Sequence, residues 1–358
     1  MCFINRSLTA NNNSMRGEQK LKAVIMAGGE GTRLRAVTGT LPKPMVPLLG
    51  KPMLEHIVEL LKKNGFDEIC MALRYRAGDI IACFGDGKKF GVRIDYRIEE
   101  EALGTAGAVK NCGDFYGDED FLVISGDCAC DMELSLLAQE HFQNKAAATV
   151  ALHRDGCPLR YGLAVTDGEG RIHAFVEKPS WKRVVTDFVN TGIYMLSPKI
   201  MEYVPDNRPF DFGKDLFPLL LREGQPLFGV DIGGYWCDVG TPLSYYKCCW
   251  DALSGNLNIE PTPEFLTGKT NEEPESLPDG IDCPCGDRAA VMGVLSEALM
   301  DMDTDYSDGL KVNGVGYELH IAPRADIEAV HVSVNSQDAE FAERLMLSAK
   351  ELIKVLNL

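Results

Sequence analysis

The chain has 358 residues, of which 45% are hydrophobic and 25% are charged, with a formal net charge of −17. This composition is typical of a globular protein and excludes a disordered chain, and the glycines lack the triplet period of collagen. No apolar run approaches the length of about 20 residues that a bilayer-spanning helix needs, and the acidic balance disfavours a general nucleic-acid-binding protein, whose affinity requires clustered lysine and arginine.

Residues 1–20 are polar and rich in asparagine, and they lack the apolar segment of a secretory signal. We expect this stretch to be a flexible leader on a cytoplasmic protein. The cysteine spacing agrees with that location, because pairs such as Cys128/Cys130 and Cys283/Cys285 are too close for zinc-ligand pairs and the remaining cysteines are scattered. We predict reduced thiols, mostly buried as small apolar side chains.

From residue 21 onward, short apolar strands alternate with amphipathic helices. The predicted strands are Lys22–Ala27, Asp67–Leu73, Val92–Ile98 and Phe121–Ser125. Helices are predicted from Pro52 to Gly65 and near residues 77–84 and 105–111. This alternation predicts an α/β fold with a Rossmann-like, doubly wound and mostly parallel sheet, whose ligands bind at the carboxyl ends of the strands.

After residue 146 the pattern becomes richer in strands, which we expect to extend the sheet into a substrate lobe. The predicted strands there are Thr149–His153, Leu163–Thr166, Arg171–Glu177 and Phe188–Leu196, followed by helices near 214–222 and 242–254. We predict one domain over 21–255, a proline-containing linker over 256–282 and a small α+β domain over 283–358. The small domain is predicted to hold a helix at 288–300, strands at 317–321 and 329–334, and a final helix from residue 338.

The most informative motif is the loop after the first strand, Gly28-Gly29-Glu30-Gly31-Thr32-Arg33-Leu34, which is followed by Pro42-Lys43-Pro44. Glycines let the backbone wrap closely around a phosphate or base, and their N–H groups form an anion nest. Arg33 and Lys43 bring two cations to the same place. The loop is neither a Walker motif nor a Rossmann fingerprint, since Leu34 stands where a third glycine is required.

This loop resembles the signature of the sugar-1-phosphate nucleotidyltransferases, also called sugar-nucleotide pyrophosphorylases. The resemblance covers about residues 21–255 and continues, in the family's order, through Leu103-Gly-Thr-Ala-Gly107, Ser125-Gly-Asp127, Tyr161-Gly162, Val176-Glu-Lys-Pro179, Asn190-Thr-Gly-Ile-Tyr194 and Trp236-Cys-Asp-Val-Gly-Thr-Pro242. It implies an enzyme in which a sugar 1-phosphate attacks the α-phosphorus of a nucleoside triphosphate in line, without a covalent intermediate. The partners implied are these two substrates and further copies of the chain, with no nucleic acid and no membrane.

The resemblance also implies a role for each matching position. Nucleotide-binding residues are expected at Ala27, Gly28, Gly29, Gly31, Thr32, Arg33, Lys43, Gly104, Thr105 and Gly126. Residues expected to bind the sugar phosphate are Tyr161, Gly162, Glu177, Lys178, Asn190 and Thr191. The residues expected to be catalytic are Arg33, Lys43, Asp127 and Lys178.

Two aspartates follow apolar strands, and each alone has an ordinary explanation: Asp127 as a helix cap and Asp238 as a turn residue. Two carboxylates that converge on a triphosphate are, however, what Mg²⁺ requires, because it takes one or two protein carboxylates together with phosphate oxygens and water. In the family that the chain resembles, the matching positions hold the metal. The resemblance therefore implies Mg²⁺ bound by Asp127 and Asp238.

The sequence around these motifs is most similar to that of bacterial mannose-1-phosphate guanylyltransferases, and this resemblance implies GTP and mannose 1-phosphate as substrates. Glucose-1-phosphate and heptose-1-phosphate relatives share most of the same residues, so the base and the sugar stay open. A carboxylate at Glu100 would suit a guanine edge, but Glu99 and Glu101 are adjacent and an acidic run exposed to solvent explains all three.

Residues 283–358 resemble the last domain of phosphohexomutases, through Arg288-Ala-Ala-Val-Met292 and Ile321-Ala-Pro-Arg-Ala-Asp-Ile-Glu328. The usual Ser-Gly-Thr of the phosphate loop is missing, so we predict no mutase activity and an oligomerisation or regulatory role. Two other interpretations of the whole chain remain. A non-catalytic regulatory subunit would keep the fold without turnover, and a nucleotide-binding dehydrogenase would need the glycine that Leu34 replaces.

Overall fold

The computed structural model describes residues 21–31, 34, 40–156, 158–262, 280–285, 288–298, 304–305, 309–314, 317–324, 327–336, 342, 345–346, 349–350 and 353. The predicted leader, most of the predicted linker, Thr32 and Arg33 lie outside these residues. None of the described helices is long and apolar enough to cross a bilayer.

A nine-stranded sheet forms the centre of the molecule. Its strands are β1 (Lys22–Met26), β4 (Glu68–Leu73), β5 (Arg93–Ile98), β6 (Phe121–Ser125), β8 (Ala148–Arg154), β9 (Gly162–Thr166), β10 (Ile172–Glu177), β11 (Phe188–Leu196) and β12 (Leu227–Asp231). Two-residue strands β2 (Pro47–Leu48) and β3 (Lys51–Pro52) pair with each other, and β7 (Cys128–Cys130) pairs with β13 (Trp236–Asp238).

The main path through the sheet runs β10-β9-β11-β6-β1-β4-β5. Strands β6, β1, β4 and β5 are parallel, as the alternation of strands and helices predicts. Strand β11 then runs antiparallel to β6, β8 and β9, while β12 is parallel to β8. The fold is therefore α/β with a mostly parallel centre, and the part predicted to form a substrate lobe is a mainly antiparallel extension of the same sheet.

Strand β1 illustrates why the centre is buried on both faces. Ala23 and Ile25 belong to one apolar cluster and Val24 to the other, and all three side chains are fully buried. Successive side chains of a strand point to opposite faces, so a continuous apolar run supplies a core on each side of the sheet. The carboxyl end of β1 consequently has a rigid support for the loop that follows it.

The described helices of the larger domain are α1 (Met53–Lys63), α2 (Ala77–Phe84), α3 (Gly104–Lys110), α4 (Gly113–Tyr116), α5 (Leu134–Asn144), α6 (Phe217–Arg222) and α7 (Pro242–Leu253). The segment predicted as a helix near 214–222 begins instead with a wide π turn over Phe212–Leu216. In that turn the Asp211 carbonyl accepts from the amides of Asp215 and Leu216, and the Asp215 carboxylate accepts from the Asp211 amide.

The C-terminal residues form a second sheet in the order β14-β18-β17-β16-β15. These strands are β14 (Ile281–Pro284), β15 (Thr304–Asp305), β16 (Leu310–Gly314), β17 (Tyr317–Pro323) and β18 (Ala329–Ser336), and helix α8 (Arg288–Ala298) lies with them. Strand β14 begins inside the stretch predicted as linker. The first residues of that stretch also pack on the larger domain, where Leu257 is buried.

The described cysteines are not joined by disulfides, and most of their side chains are buried. Cys283 and Cys285 lie in the core of the C-terminal sheet. In the segment predicted as the final helix, the described residues Leu345, Met346 and Ile353 are helical and belong to that core as well. Their spacing places them on one face of a helix.

Candidate active site

The site begins where β1 and β6 end side by side. The Gly126 amide donates to the Met26 carbonyl at 2.8 Å. A Cβ at position 126 would lie only 2.9 Å from both the Ala27 Cβ and the Met26 oxygen, so only glycine allows the two chains to approach this closely. This contact places Ala27, which opens the glycine-rich loop, beside Asp127.

Lys43 is held against the end of β6 by a short 3-10 turn over Lys43–Met45. Its side chain is 8% exposed, and its Nζ lies 2.6 Å from Asp127 Oδ2 and 3.4 Å from Asp238 Oδ1. Gly31, with φ +62°, lies directly over it, since a Cβ there would approach the Lys43 Cβ to 2.6 Å. The glycine-rich loop therefore packs on the lysine stem.

Asp238 reaches the same point through the ribbon formed by β7 and β13. In this antiparallel pair Asp238 lies opposite Cys128, the residue that follows Asp127. The two carboxylates are thus neighbours across two short strands, although they are far apart in the sequence. The Ser125 hydroxyl donates to Asp127 Oδ1 at 2.6 Å and further orients that carboxylate.

The neighbouring charges shift the pKa values of Lys43 and Asp127. Burial lowers the pKa of Lys43, but the charges of Asp127 and Asp238 outweigh burial and raise it above the ordinary value. Burial alone would raise the pKa of Asp127. The Lys43 ammonium and the hydrogen bond from Ser125 lower it by more than burial raises it, so the net shift is downward. Both groups are therefore ionised at neutral pH.

A cavity of about 250 Å³ opens over this cluster. Its lining residues are Met26, Ala27, Gly29, Gly31, Lys43, Pro44, Asp127 and Gly240. Within the described residues no three or more metal-ligating side chains cluster together. Two carboxylates that already converge on one cation nevertheless fit Mg²⁺, which accepts two protein carboxylates and completes its shell with water and phosphate oxygens.

One side of the loop faces Glu99, which the sequence analysis did not single out. Its side chain is buried, its Oε2 accepts from the Leu103 amide at 3.2 Å, and its Oε1 would lie 3.3 Å from a Cβ at Gly28. Burial raises the pKa of this carboxyl. Glu100 and Glu101 are exposed, so the carboxylate that faces the loop is Glu99, and burial is the feature that distinguishes it from its neighbours.

Gly104 and Thr105 lie in the first turn of α3, beneath the segment that starts at Phe210. Gly104 has φ +70°, and a Cβ there would meet the Phe210 backbone at 2.8 Å. The Thr105 amide and hydroxyl both donate to Asp211 Oδ1, at 3.0 and 3.2 Å. These groups of Thr105 are therefore engaged by Asp211, a residue to which the sequence analysis assigned no role.

The residues expected to bind the sugar phosphate surround Glu177 at the end of β10. Gly162 is its partner in β9, and a Cβ at Gly162 or Gly213 would come within 2.7 Å of Glu177 Oε2. Asn190 Nδ2 would lie 3.7 Å from the same Cβ at Gly213. Burial raises the pKa of Glu177, Lys178 lowers it, and Asp211 raises it, with a net upward shift.

Lys178 follows with φ +41°, a left-handed conformation that is uncommon for a non-glycine residue, and its amide donates to the Tyr161 carbonyl at 3.1 Å. The Tyr161 ring packs edge-on against Trp236, with centroids 5.2 Å apart. Thr191 differs from the others, because its buried hydroxyl donates to the Ala151 carbonyl at 2.7 Å within the sheet.

The sequence of this chain is similar to those of known proteins. A model of the nucleotidyl transferase family matches residues 22–254. A UTP–glucose-1-phosphate uridylyltransferase from Synechocystis is 38% identical over 253 residues, which cover 67% of this chain and 64% of that protein. A mannose-1-phosphate guanylyltransferase from Mycobacterium tuberculosis is 33% identical over 255 residues, covering 71% of this chain and 69% of that protein. The chain thus spans about two thirds of the length of these relatives.

Solved structures agree with the fold. HddC from Yersinia pseudotuberculosis, complexed with GMP-PN, superposes with a TM-score of 0.56 at 33% identity over 65% of this chain and 99% of that one. A UDP-glucose pyrophosphorylase complexed with UDP-glucose superposes with a TM-score of 0.58 at 19% identity, covering 66% of this chain and 99% of that one. The second match bears on the fold alone.

Proposed function

Since the chain belongs to the nucleotidyl transferase family, we propose that it joins a nucleoside triphosphate to a sugar 1-phosphate and releases pyrophosphate. The observation that carries this proposal is the Lys43 ammonium, which lies within 3.4 Å of both Asp127 and Asp238 on the wall of the cavity beneath the glycine-rich loop. A buried cation beside exposed backbone amides suits the phosphates of a nucleotide.

The reaction in this site needs no covalent intermediate. The sugar phosphate oxygen attacks the α-phosphorus in line, and negative charge accumulates on the α-phosphoryl oxygens and on the departing pyrophosphate. The Lys43 ammonium is already fixed at the cavity wall, so it need not move when negative charge develops on the phosphates in the transition state. Lys178 and Arg33 are proposed as the further cations, Lys178 at the sugar phosphate.

Asp127 and Asp238 are proposed to hold Mg²⁺. When bound there, the ion would neutralise part of the charge on the phosphate oxygens. The support is the pair of converging carboxylates, of which Asp127 is kept ionised by its neighbours. Ser125 fixes the orientation of the Asp127 carboxylate by its hydrogen bond, and pairing of β13 with β7 fixes the backbone position of Asp238.

GTP and mannose 1-phosphate are proposed as the preferred substrates, with glucose 1-phosphate and a uridine nucleotide as the second candidate. Mannose-1-phosphate guanylyltransferases are among the relatives, as is a glucose-1-phosphate uridylyltransferase. What favours guanine is Glu99, because a carboxylate accepts hydrogen bonds well from the N–H donors on a guanine edge. The sugar is proposed to lie against Tyr161, Gly162, Glu177 and Asn190. Homo-oligomerisation and a cytoplasmic location stay predictions.

The test measures pyrophosphate release with Mg²⁺ across a grid of nucleoside triphosphates and hexose 1-phosphates. Asp127→Asn is expected to abolish release, whereas Asp114→Asn, an exposed carboxylate paired with Arg97, is expected to leave it unchanged. A maximum at GTP with mannose 1-phosphate supports the full proposal. A maximum elsewhere keeps the reaction and replaces the substrates, and no release with any pair favours a regulatory subunit of the same fold.

A further inference from the structure

Helix α7 joins the strand that carries Asp238 to the core of the C-terminal sheet. It starts at Pro242, four residues after Asp238, and Gly240, within the connection, lines the cavity. At its other end, Trp250 belongs to the apolar cluster of the C-terminal sheet. A helix of 12 residues spans about 18 Å at 1.5 Å per residue, so α7 connects the two regions directly.

The first turn of α7 is fixed to β13. Thr241 caps the helix, accepting from the Ser244 amide at 3.2 Å, while its own amide donates to the Ser244 hydroxyl at 3.0 Å. The Cys237 thiol lies 3.8 Å from the Ser244 carbonyl. Because Cys237 directly precedes Asp238, a shift of this turn would be transmitted to the carboxylate.

The last turn of α7 is fixed to Tyr235, the residue that precedes β13. The Tyr235 hydroxyl donates to Asp251 Oδ2 at 2.6 Å. Tyr235 itself is held at the end of β7, since its amide donates at 2.6 Å to Oδ1 of Asp131, the residue that follows β7. The strand carrying Asp238 is therefore attached to both ends of the helix.

Trp250, the neighbour of Asp251, is 7% exposed and inserts into the C-terminal core. Its ring lies beside Tyr317 of β17, with centroids 6.2 Å apart, and α8 packs against α7. Within the described residues, Trp250 is the only member of this cluster that comes from the larger domain. The C-terminal core is thus completed by a residue of the helix that follows the active site.

We infer that the C-terminal domain sets the position of Asp238 through α7, with Trp250 and Tyr235 as positioning residues. The inference rests on the proposed function in that Asp238 is taken as a metal ligand. The domain then regulates the metal site of this enzyme rather than acting as a separate catalytic module. Removal of the Tyr235 hydroxyl from Asp251, or of Trp250 from the C-terminal core, loosens the end of β13 and weakens metal binding, although neither residue contacts the substrates.

The first test is hydrogen–deuterium exchange of the full chain, which needs no turnover. Tyr235→Phe keeps the ring and removes only the hydroxyl that binds Asp251. We expect severalfold faster exchange over residues 236–241. The matched control is Tyr203→Phe, which removes a half-buried hydroxyl that accepts from Gln225 at 3.2 Å and is expected to leave 236–241 unchanged. Unchanged exchange in Tyr235→Phe overturns the inference.

The second test measures Mn²⁺ binding by calorimetry in the presence of GTP alone. Tyr235→Phe and Trp250→Phe are each expected to raise the Mn²⁺ dissociation constant about tenfold. In the double variant the increase should be less than the product of the two, because both residues act on one helix. Independent, multiplicative effects, or no effect of Trp250→Phe, contradict the inference.

Asp238→Asn separates this inference from the proposed function. If Asp238→Asn abolishes both Mn²⁺ binding and turnover while Tyr235→Phe changes neither exchange nor binding, the metal site stands and the positioning role fails. If Asp238→Asn leaves binding and turnover intact, the proposed metal site fails. In that case the exchange experiment, repeated with Trp250→Phe, still decides whether α7 couples the C-terminal domain to β13.

Discussion

Lys43 is the residue on which the proposed chemistry depends most, because its charge is buried between two carboxylates. Lys43→Met would keep the stem that packs under Gly31 and remove the charge. We expect kcat to fall about 10²-fold or more, the usual cost of losing one preorganised group that stabilises transition-state charge. Steady-state pyrophosphate release measures this loss.

The control for that experiment is Lys51→Met. Lys51 forms an ion pair with the exposed Glu59 at 2.8 Å, and such pairs contribute little to stability. We expect wild-type kcat from this variant. Equal kcat values for the two variants would show that Lys43 has only a structural role.

Glu99 gives a second prediction at the scale of single residues. Glu99→Gln replaces one carboxylate oxygen, a hydrogen-bond acceptor, by an NH₂ group, which repels an N–H donor. The volume of the side chain stays nearly the same. If the base is guanine, kcat/KM for GTP should fall about 10- to 100-fold, since a hydrogen bond to a charged group contributes about 1.5–3 kcal/mol. The ratio of kcat/KM values for GTP and UTP should therefore shift toward UTP.

Glu101→Gln is the matched control, because Glu101 belongs to the same acidic run and is exposed. Its GTP-to-UTP ratio should equal that of the wild type. A shift of the same size in both variants would mean that the ratio responds to net charge and not to a contact at Glu99.

At the scale of elements, the close approach of β1 and β6 decides whether the site can form. Gly126→Ala places a methyl group 2.9 Å from the Ala27 Cβ and from the Met26 oxygen, both of which belong to the end of a buried strand. We expect the strands to separate, with a loss of about 1–3 kcal/mol of unfolding free energy from overpacking and a larger loss of activity. Urea unfolding together with pyrophosphate release tests this.

Gly168→Ala serves as the comparison, since a Cβ there meets nothing within 4 Å. Both its unfolding midpoint and its activity should stay within error of the wild type. Unaltered activity of Gly126→Ala would mean that the ends of the two strands can move apart without harm to the site.

The elements also explain how far the sequence could predict this molecule. The continuous apolar run of β1 and the helical periodicity after Pro52 are strong signals, and the structure confirms both elements with bounds shifted by one or two residues. The ribbon of β7 and β13 has three residues per strand, too few for any period to be visible. The approach of Asp238 to Lys43, 195 residues apart in the chain, depends on that ribbon, so only the family resemblance indicated it.

At the scale of the whole molecule, the stability of the fold is expected to depend on pH through His56. This residue lies on α1, is 7% exposed, and donates from Nε2 to the Leu48 carbonyl at 2.8 Å. Burial is the main reason why its pKa is lowered; Lys51 lowers it further, while the hydrogen bond to Leu48 and the charge of Glu59 oppose the shift. The folded protein therefore keeps the ring neutral to a lower pH than the unfolded chain does.

The sign of the effect follows from that difference. Below the ordinary histidine pKa of about 6.5 the unfolded chain takes up a proton that the folded protein resists, so unfolding becomes easier as the pH falls. The stabilising contribution is complete above that pH and is lost toward the lower folded pKa, by up to about 1.4 kcal/mol per pH unit.

His56→Gln keeps a donor for Leu48 but does not titrate, and its unfolding free energy should fall less steeply between pH 7 and pH 5. Urea unfolding at several pH values measures both slopes, with His173→Gln, an exposed histidine, expected to match the wild type. Because carboxyls with raised pKa values, such as Glu99 and Glu177, are common to all three proteins, the difference between slopes isolates His56, and equal slopes would contradict its role.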